Sequence, residues 1–126
     1  LSMPISEQFI DKSITELNVL TQLEKDVGIN VLARLINLFI DELVTMANQL
    51  DTAITREDII KIKEVMHVLK NSAALYGAAP LAALATQLHD SPPPTTEENL
   101  HAALVIKHNL DKTRDAYQIM SNSIAI

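Results

Sequence analysis

Cysteine is absent from this 126-residue sequence, so it has neither a disulfide framework nor thiol chemistry, and it suits a reducing, cytoplasmic compartment. Tryptophan is also absent, and two Phe and two Tyr are the whole aromatic complement. Gly28 and Gly77 are the only glycines, which leaves little material for tight strand turns. No apolar run approaches the roughly 18 residues that a bilayer crossing needs, and no basic-then-apolar signal segment opens the chain. Met3 reads as a candidate initiator, with Leu1 and Ser2 as added residues. Basic residues are outnumbered: ten Lys and Arg stand against sixteen Asp and Glu, for a net charge of −6. The basic footprint of a nucleic-acid binder is therefore missing, and neither nucleic acid nor membrane is expected as a partner.

What the chain does have is aliphatic residues at helical spacing. Hydrophobic residues make up 48% of it, mostly Leu, Ile, Val, Ala and Met. That composition favours helix packed on helix. The expected fold is all-α: one domain, residues 1–126, forming an antiparallel up-and-down four-helix bundle with a short N-terminal capping helix. The spans expected are about 15–27 for the cap and about 30–53, 56–76, 80–90 and 96–121 for the bundle. A helical possibility around Glu7 to Lys12 precedes them, and Ser121 to Ile126 are expected to fray. The strongest pattern is Leu32, Leu35, Ile36, Phe39, Leu43, Met46 and Leu50, recurring at steps of three and four. Asn30 is the expected cap of that helix, Thr55 with Asp58 that of the next, and Thr95 with Glu98 that of the last. Gly28 and Gly77 are the expected stops, and Pro80 suits a helix's first turn.

Residues 65 to 77 carry the functional argument. With about 100° per residue, Ile62, Val65, Met66, Leu69, Ala73 and Tyr76 share one arc and should be buried. His67 falls opposite, with Lys63 and Lys70 within about 60° of it and Asn71 and Ala74 within about 40°. An exposed imidazole titrates near neutral pH and offers a ring nitrogen as nucleophile. Nearby ammonium groups disfavour its doubly protonated form, and Lys70 is placed to neutralise a phosphoryl group added to the ring. Small neighbours at Asn71 and Ala74 leave room for a docking surface, and Asn71 could donate a hydrogen bond to phosphoryl oxygens. The plain alternative is a solvated surface histidine beside lysines. His101 and His108 share a face but lie about 10 Å apart along the axis, too far to chelate one metal, so no metal site is expected. His89 reads as a favourable contact with a helix C-terminus.

His67-Val68-Leu69-Lys70-Asn71-Ser72-Ala73, with Gly77 ten residues after the histidine, resembles the signature of histidine-containing phosphotransfer (HPt) domains. Leu23 to Gly28 and Leu38 to Leu43 are similar to that family's first two helices. Tyr76-Gly77-Ala78-Ala79 and Thr113 to Tyr117 look more narrowly like the LuxU-like phosphorelay proteins of bacterial quorum sensing. The resemblance implies His67 as phosphoacceptor, Lys70 as phosphate-neutralising residue and Gly77 as the glycine closing the phosphoacceptor helix. Lys63, Asn71 and Ala74 are the expected docking positions. Asn71 departs from the family's usual glycine. The implied protein is a monomeric phosphohistidine carrier, not an enzyme with an ATP site. Its implied partners are the receiver domain of a hybrid sensor histidine kinase and that of a response regulator. No cofactor is expected on this chain, since Mg²⁺ belongs to the receiver. Two other readings compete: an all-α interaction module without phosphotransfer, and the phosphoacceptor domain of a larger chemotaxis-type kinase.

Overall fold

The computed structural model describes residues 7–124; residues 1–6, Met3 among them, and 125–126 lie outside the described residues. After a 3₁₀ turn at Glu7–Phe9 come α1 (Leu17–Val27), α2 (Ile29–Thr55), α3 (Ile59–Leu75), α4 (Ala79–Asp90) and α5 (Thr96–Ser123). Among the described residues there is no strand. Helix α2 packs on both α3 and α5, and α4 closes the ring by packing on α3 and α5. This is the four-helix bundle, and its elements follow from the pattern of the chain. Leu32, Ile36, Phe39, Leu43, Met46 and Leu50 of α2 are all buried, with Leu35 packed at the edge. Turning that stripe inward removes apolar surface from water, worth about 25 cal/mol per Å².

Helix ends depart from expectation where two residues compete for one role. Asn30 does not cap α2; Gly28 precedes the helix, and its carbonyl accepts from the Leu32 N–H. With φ 84° and ψ 162°, Gly28 occupies a region open essentially to glycine alone, so one residue ends α1 and starts α2. Thr55 does not cap α3 either, because α2 runs through it. Asp58 takes that place, accepting from the Lys61 N–H at 3.0 Å. Helix α5 starts as expected: Thr95 Oγ1 accepts from the Glu98 N–H and donates to the Glu98 carboxylate. Its last turn does not fray at Ser121, since the helix continues to Ser123 and Ile124 is buried.

Two helices finish with the same hydrogen-bonded loop. At the end of α3 the Ala78 N–H reaches Ala73 O and the Gly77 N–H reaches Ala74 O, with Gly77 at φ 79°. At the end of α2 the Asp58 N–H reaches Ala53 O and the Glu57 N–H reaches Ile54 O, with Glu57 at φ 53°. Both are Schellman motifs, which favour glycine at the left-handed position. Only the first has it.

The α3–α4 turn is tied to the rest of the core. Tyr117 of α5, fully buried, donates its hydroxyl to Tyr76 O at 2.6 Å. Phe39 of α2 stacks on Tyr76 and meets Tyr117 edge-on, at centroid distances of 4.6 and 5.0 Å. Just before α1, the Glu16 N–H donates to Gly77 O at 2.8 Å. In α1 itself, Val19 lies where a Cβ on Gly77 would come within 3.0 Å of it. Helix α1 therefore acts as the expected lid, seated over the turn that ends α3.

Two stability predictions follow from these contacts. Glu57→Gly should raise the urea midpoint, equivalent to about 1 kcal/mol, by relieving a left-handed L-residue. Gly77→Ala should lower it by about 2 kcal/mol or more, since strain and the clash at Glu16 O and Val19 add. Burial also pushes the Tyr117 hydroxyl up to about 12. The folded group then holds its proton while the unfolded one ionises from pH 10 upward. Its contribution is intact below pH 10 and is lost up to pH 12, at about 1.4 kcal/mol per pH unit. Tyr117→Phe should flatten that alkaline loss in denaturation measured from pH 9 to 12, at a cost of about 1 kcal/mol at neutral pH.

Candidate functional site

Helix α3 divides its residues as the angular count requires. Ile62, Val65, Met66, Leu69, Ala73 and Tyr76 are buried, while Lys63, His67, Val68, Asn71 and Ala74 are exposed. His67 thus stands clear of the core in the middle of a rigid helix. The backbone beneath it is fixed by buried neighbours, Met66 and Leu69, that are 0% exposed.

The four positions expected to surround His67, Lys63, Lys70, Asn71 and Ala74, do not behave alike. Lys63 and Ala74 are exposed beside it, as the face requires. Asn71 turns back on its own helix, donating Nδ2–H to His67 O at 3.1 Å, so its amide is occupied locally. Lys70 is only 21% exposed and leans toward the end of α4. Its Nζ lies 3.2 Å from Asp90 Oδ1 and 3.3 Å from His89 Nδ1. Ser72, two residues beyond Lys70, donates to the Glu42 carboxylate of α2 at 2.9 Å.

His89 is the residue that single-helix reading missed. It does occupy the last turn of α4, where a cation is favoured, but its ring also faces His67 at a centroid distance of 5.3 Å. Counting equal distances either side of the turn at Gly77 and Ala78 sets His67 opposite Leu88 and His89 in an antiparallel pair. The signal lay in that hairpin register. Asp90 joins them, with Oδ1 2.6 Å from His89 Nδ1.

Three groups meet at one carboxylate oxygen, and hydrogen-bond chemistry sorts them. A ring nitrogen cannot both donate to Asp90 and accept from Lys70. The arrangement that satisfies all three has His89 Nδ1–H and the Lys70 ammonium both donating to Asp90 Oδ1. His89 and then Lys70 hold the Asp90 carboxyl below its ordinary value through these bonds, so it stays anionic. The Nε2 edge of His89 is left for other work. The site therefore holds an exposed imidazole, a second imidazole with its tautomer set, and an ammonium group beside them.

Apolar surface borders the histidine. Val68 next to it is 50% exposed, and Leu38 across on α2 is 56% exposed. Both line a groove of about 640 Å³ between α2 and α3, with Met46 and Val65 at its floor and Asp41, Glu42 and Glu64 among its lining residues. Exposed apolar side chains beside an exposed polar group are the mixture found in protein-docking surfaces.

The chain's sequence and fold resemble those of known histidine-phosphotransfer and phosphorelay proteins. The model of the Hpt domain family matches residues 34–116. The chain is 28% identical over 102 residues to the phosphorelay protein LuxU of Vibrio cholerae serotype O1, covering 81% of this chain and 88% of that one. Its fold is similar to the crystal structure of histidine-containing phosphotransfer protein B (HptB) from Pseudomonas aeruginosa PAO1. The TM-score is 0.74 at 17% identity, covering 89% of this chain and 94% of that one.

Proposed function

The chain belongs to the Hpt domain family, and from that premise we propose that it carries a phosphoryl group on His67 between two receiver domains. The donor is the receiver of a hybrid sensor histidine kinase, and the acceptor is the aspartate of a response regulator, in a bacterial phosphorelay of the quorum-sensing kind. The observation that carries the reading is an exposed imidazole on a rigid helix with Lys70 and His89 beside it. His67 attacks the phosphorus of the receiver's aspartyl phosphate with a ring-nitrogen lone pair. The N–P bond forms as the P–O bond to the aspartate breaks and the carboxylate leaves. The ring proton on the other nitrogen stays, giving a phosphoimidazolium.

Such a carrier needs little chemistry of its own. Phosphoryl transfer depends mainly on positioning and charge stabilisation. The receiver brings the carboxylates and Mg²⁺, while this chain brings the imidazole and neighbouring donors and has no ATP site in the mechanism. Docking uses the face around His67, with Lys63, Asn71 and Ala74 at its edge and Val68 and Leu38 as apolar contacts. The chain acts as a monomer, since the same face must serve two partners in turn.

Incubation with a phosphorylated receiver should label the wild type on His67 and leave His67→Gln unlabelled; equal labelling of both would reject the assignment. Lys70→Ala should slow transfer tenfold or more, the loss expected for one charge-assisted hydrogen bond of about 1.4 kcal/mol made in the transition state. Its helicity by circular dichroism should be unchanged. An unchanged rate would remove Lys70 from the mechanism.

A further inference from the structure

We propose that His89 is a phosphorylation-linked protonation site: when His67 carries a phosphoryl group, His89 takes up a proton and donates it as a hydrogen bond to that group. The inference rests on the phosphohistidine reading of His67 and deepens it. The observations behind it are independent of that reading. The two rings lie 5.3 Å apart between centroids, on different helices, tilted by 39° rather than stacked. Asp90 accepts from His89 Nδ1 at 2.6 Å and so fixes which nitrogen bears the proton in the neutral ring. Nε2 is then the only position at which a further proton can bind. With the ring centroids 5.3 Å apart, a phosphoryl group bonded to His67 is a near neighbour of the His89 ring.

The groups around His89 determine the direction of the effect. From α3 it meets His67 and the Lys70 ammonium, and on its own helix the Asp90 carboxylate. The groove between the end of α4 and α5, which His89 itself does not line, holds no titratable side chain. Before phosphorylation one anion, Asp90, and one cation, Lys70, flank the ring. The phosphoryl group brings about two negative charges against the single positive charge of the phosphoimidazolium ring, and that net negative change favours the His89 imidazolium. A proton from solvent therefore binds Nε2. The phosphorylated form holds one more proton than the free form across the window between the two midpoints. By linkage, falling pH retains the phosphoryl group on His67, and rising pH releases it to the next aspartate. Asp90 is the positioning residue of this device, acting through His89.

The test uses the full chain, ¹⁵N-labelled and phosphorylated with phosphoramidate. In that reaction a ring nitrogen of His67 bonds to phosphorus as the P–N bond breaks and ammonia leaves. Ring ¹⁵N–¹H spectra followed against pH report the His89 midpoint, and ³¹P spectra report the phosphohistidine. The His89 midpoint should rise by about one pH unit or more on phosphorylation, and by less in Asp90→Asn. In His89→Gln the phosphorylation equilibrium of His67 with a receiver should lose the pH dependence that wild type shows, up to tenfold per unit of midpoint shift. A purely structural His89 would leave the midpoint and the pH profile unmoved. An unmoved midpoint on a chain that carries phosphate on His67 overturns this inference alone. A chain that takes no phosphoryl group on His67 rejects the phosphocarrier reading, and this inference with it.

Discussion

The hydrogen bond from the Tyr117 hydroxyl to Tyr76 O, with the Schellman turn it seals, fixes the register of α3 against α4. Every feature of the candidate site depends on that register. A slip of one residue would rotate the facing surfaces by about 100° and carry His89 away from His67. The turn is therefore held from three sides. Phe39 packs from α2, Tyr117 from α5, and the segment before α1 closes it through Glu16. A glycine is required at its centre twice over, by a positive φ and by the Glu16 carbonyl and Val19 side chain pressed against it. The contrast with Glu57 is informative. That turn has the same hydrogen bonds and a residue poorly suited to them. Backbone demands are met most completely where they position the histidine.

Electrostatics adds a second constraint at the far end of the same helix pair. Lys70 does not extend freely into solvent beside His67; it is drawn to Asp90 and so crosses from α3 to α4. An exposed ion pair contributes little to stability, and Asp90 is half exposed. The value of the contact lies in geometry. A lysine side chain carries much rotamer freedom, and an anchored ammonium loses less entropy when it meets a phosphate than a free one would. The acidic background of the chain makes this local group of donors stand out, since Asp41, Glu42 and Glu64 border the groove on the other side of the helix. A partner with opposite features on its two flanks would dock in one orientation.

Much of this was readable from the chain alone, and the parts that were not share a cause. The stripe Ile62 to Tyr76 and the exposure of His67 need only the period of one helix, and both are found as expected. The end of α2 was misplaced because its stop residue is Glu57, a residue type that gives no such signal, and because Thr55 and Asp58 compete as caps. Lys70 was put on the right face, but its partner lies on the next helix, twenty positions away. His89 was seen only as the end of its own helix. Its relation to His67 requires knowing that α3 and α4 form a tight hairpin, and where that hairpin turns. Properties of one helix are written in its period; properties of a pair are written in the turn between them.

A helix pair is a suitable frame for a carrier because it separates two demands. In the role proposed, the imidazole would have to be open on one side to two successive partners, which rules out enclosing it in a pocket. It must also be held in a chemically defined environment, which ordinarily needs enclosure. Antiparallel packing resolves the conflict, since α4 approaches His67 from the flank with His89 and Asp90 and leaves the outward face clear. The exposed Val68 and Leu38 then complete the enclosure only when a partner covers them. Water is excluded at that moment, and the charges around the ring gain strength in the lower dielectric. The free chain would keep its phosphoryl group in a wet, partly screened setting, and the docked chain would exchange it in a dry one.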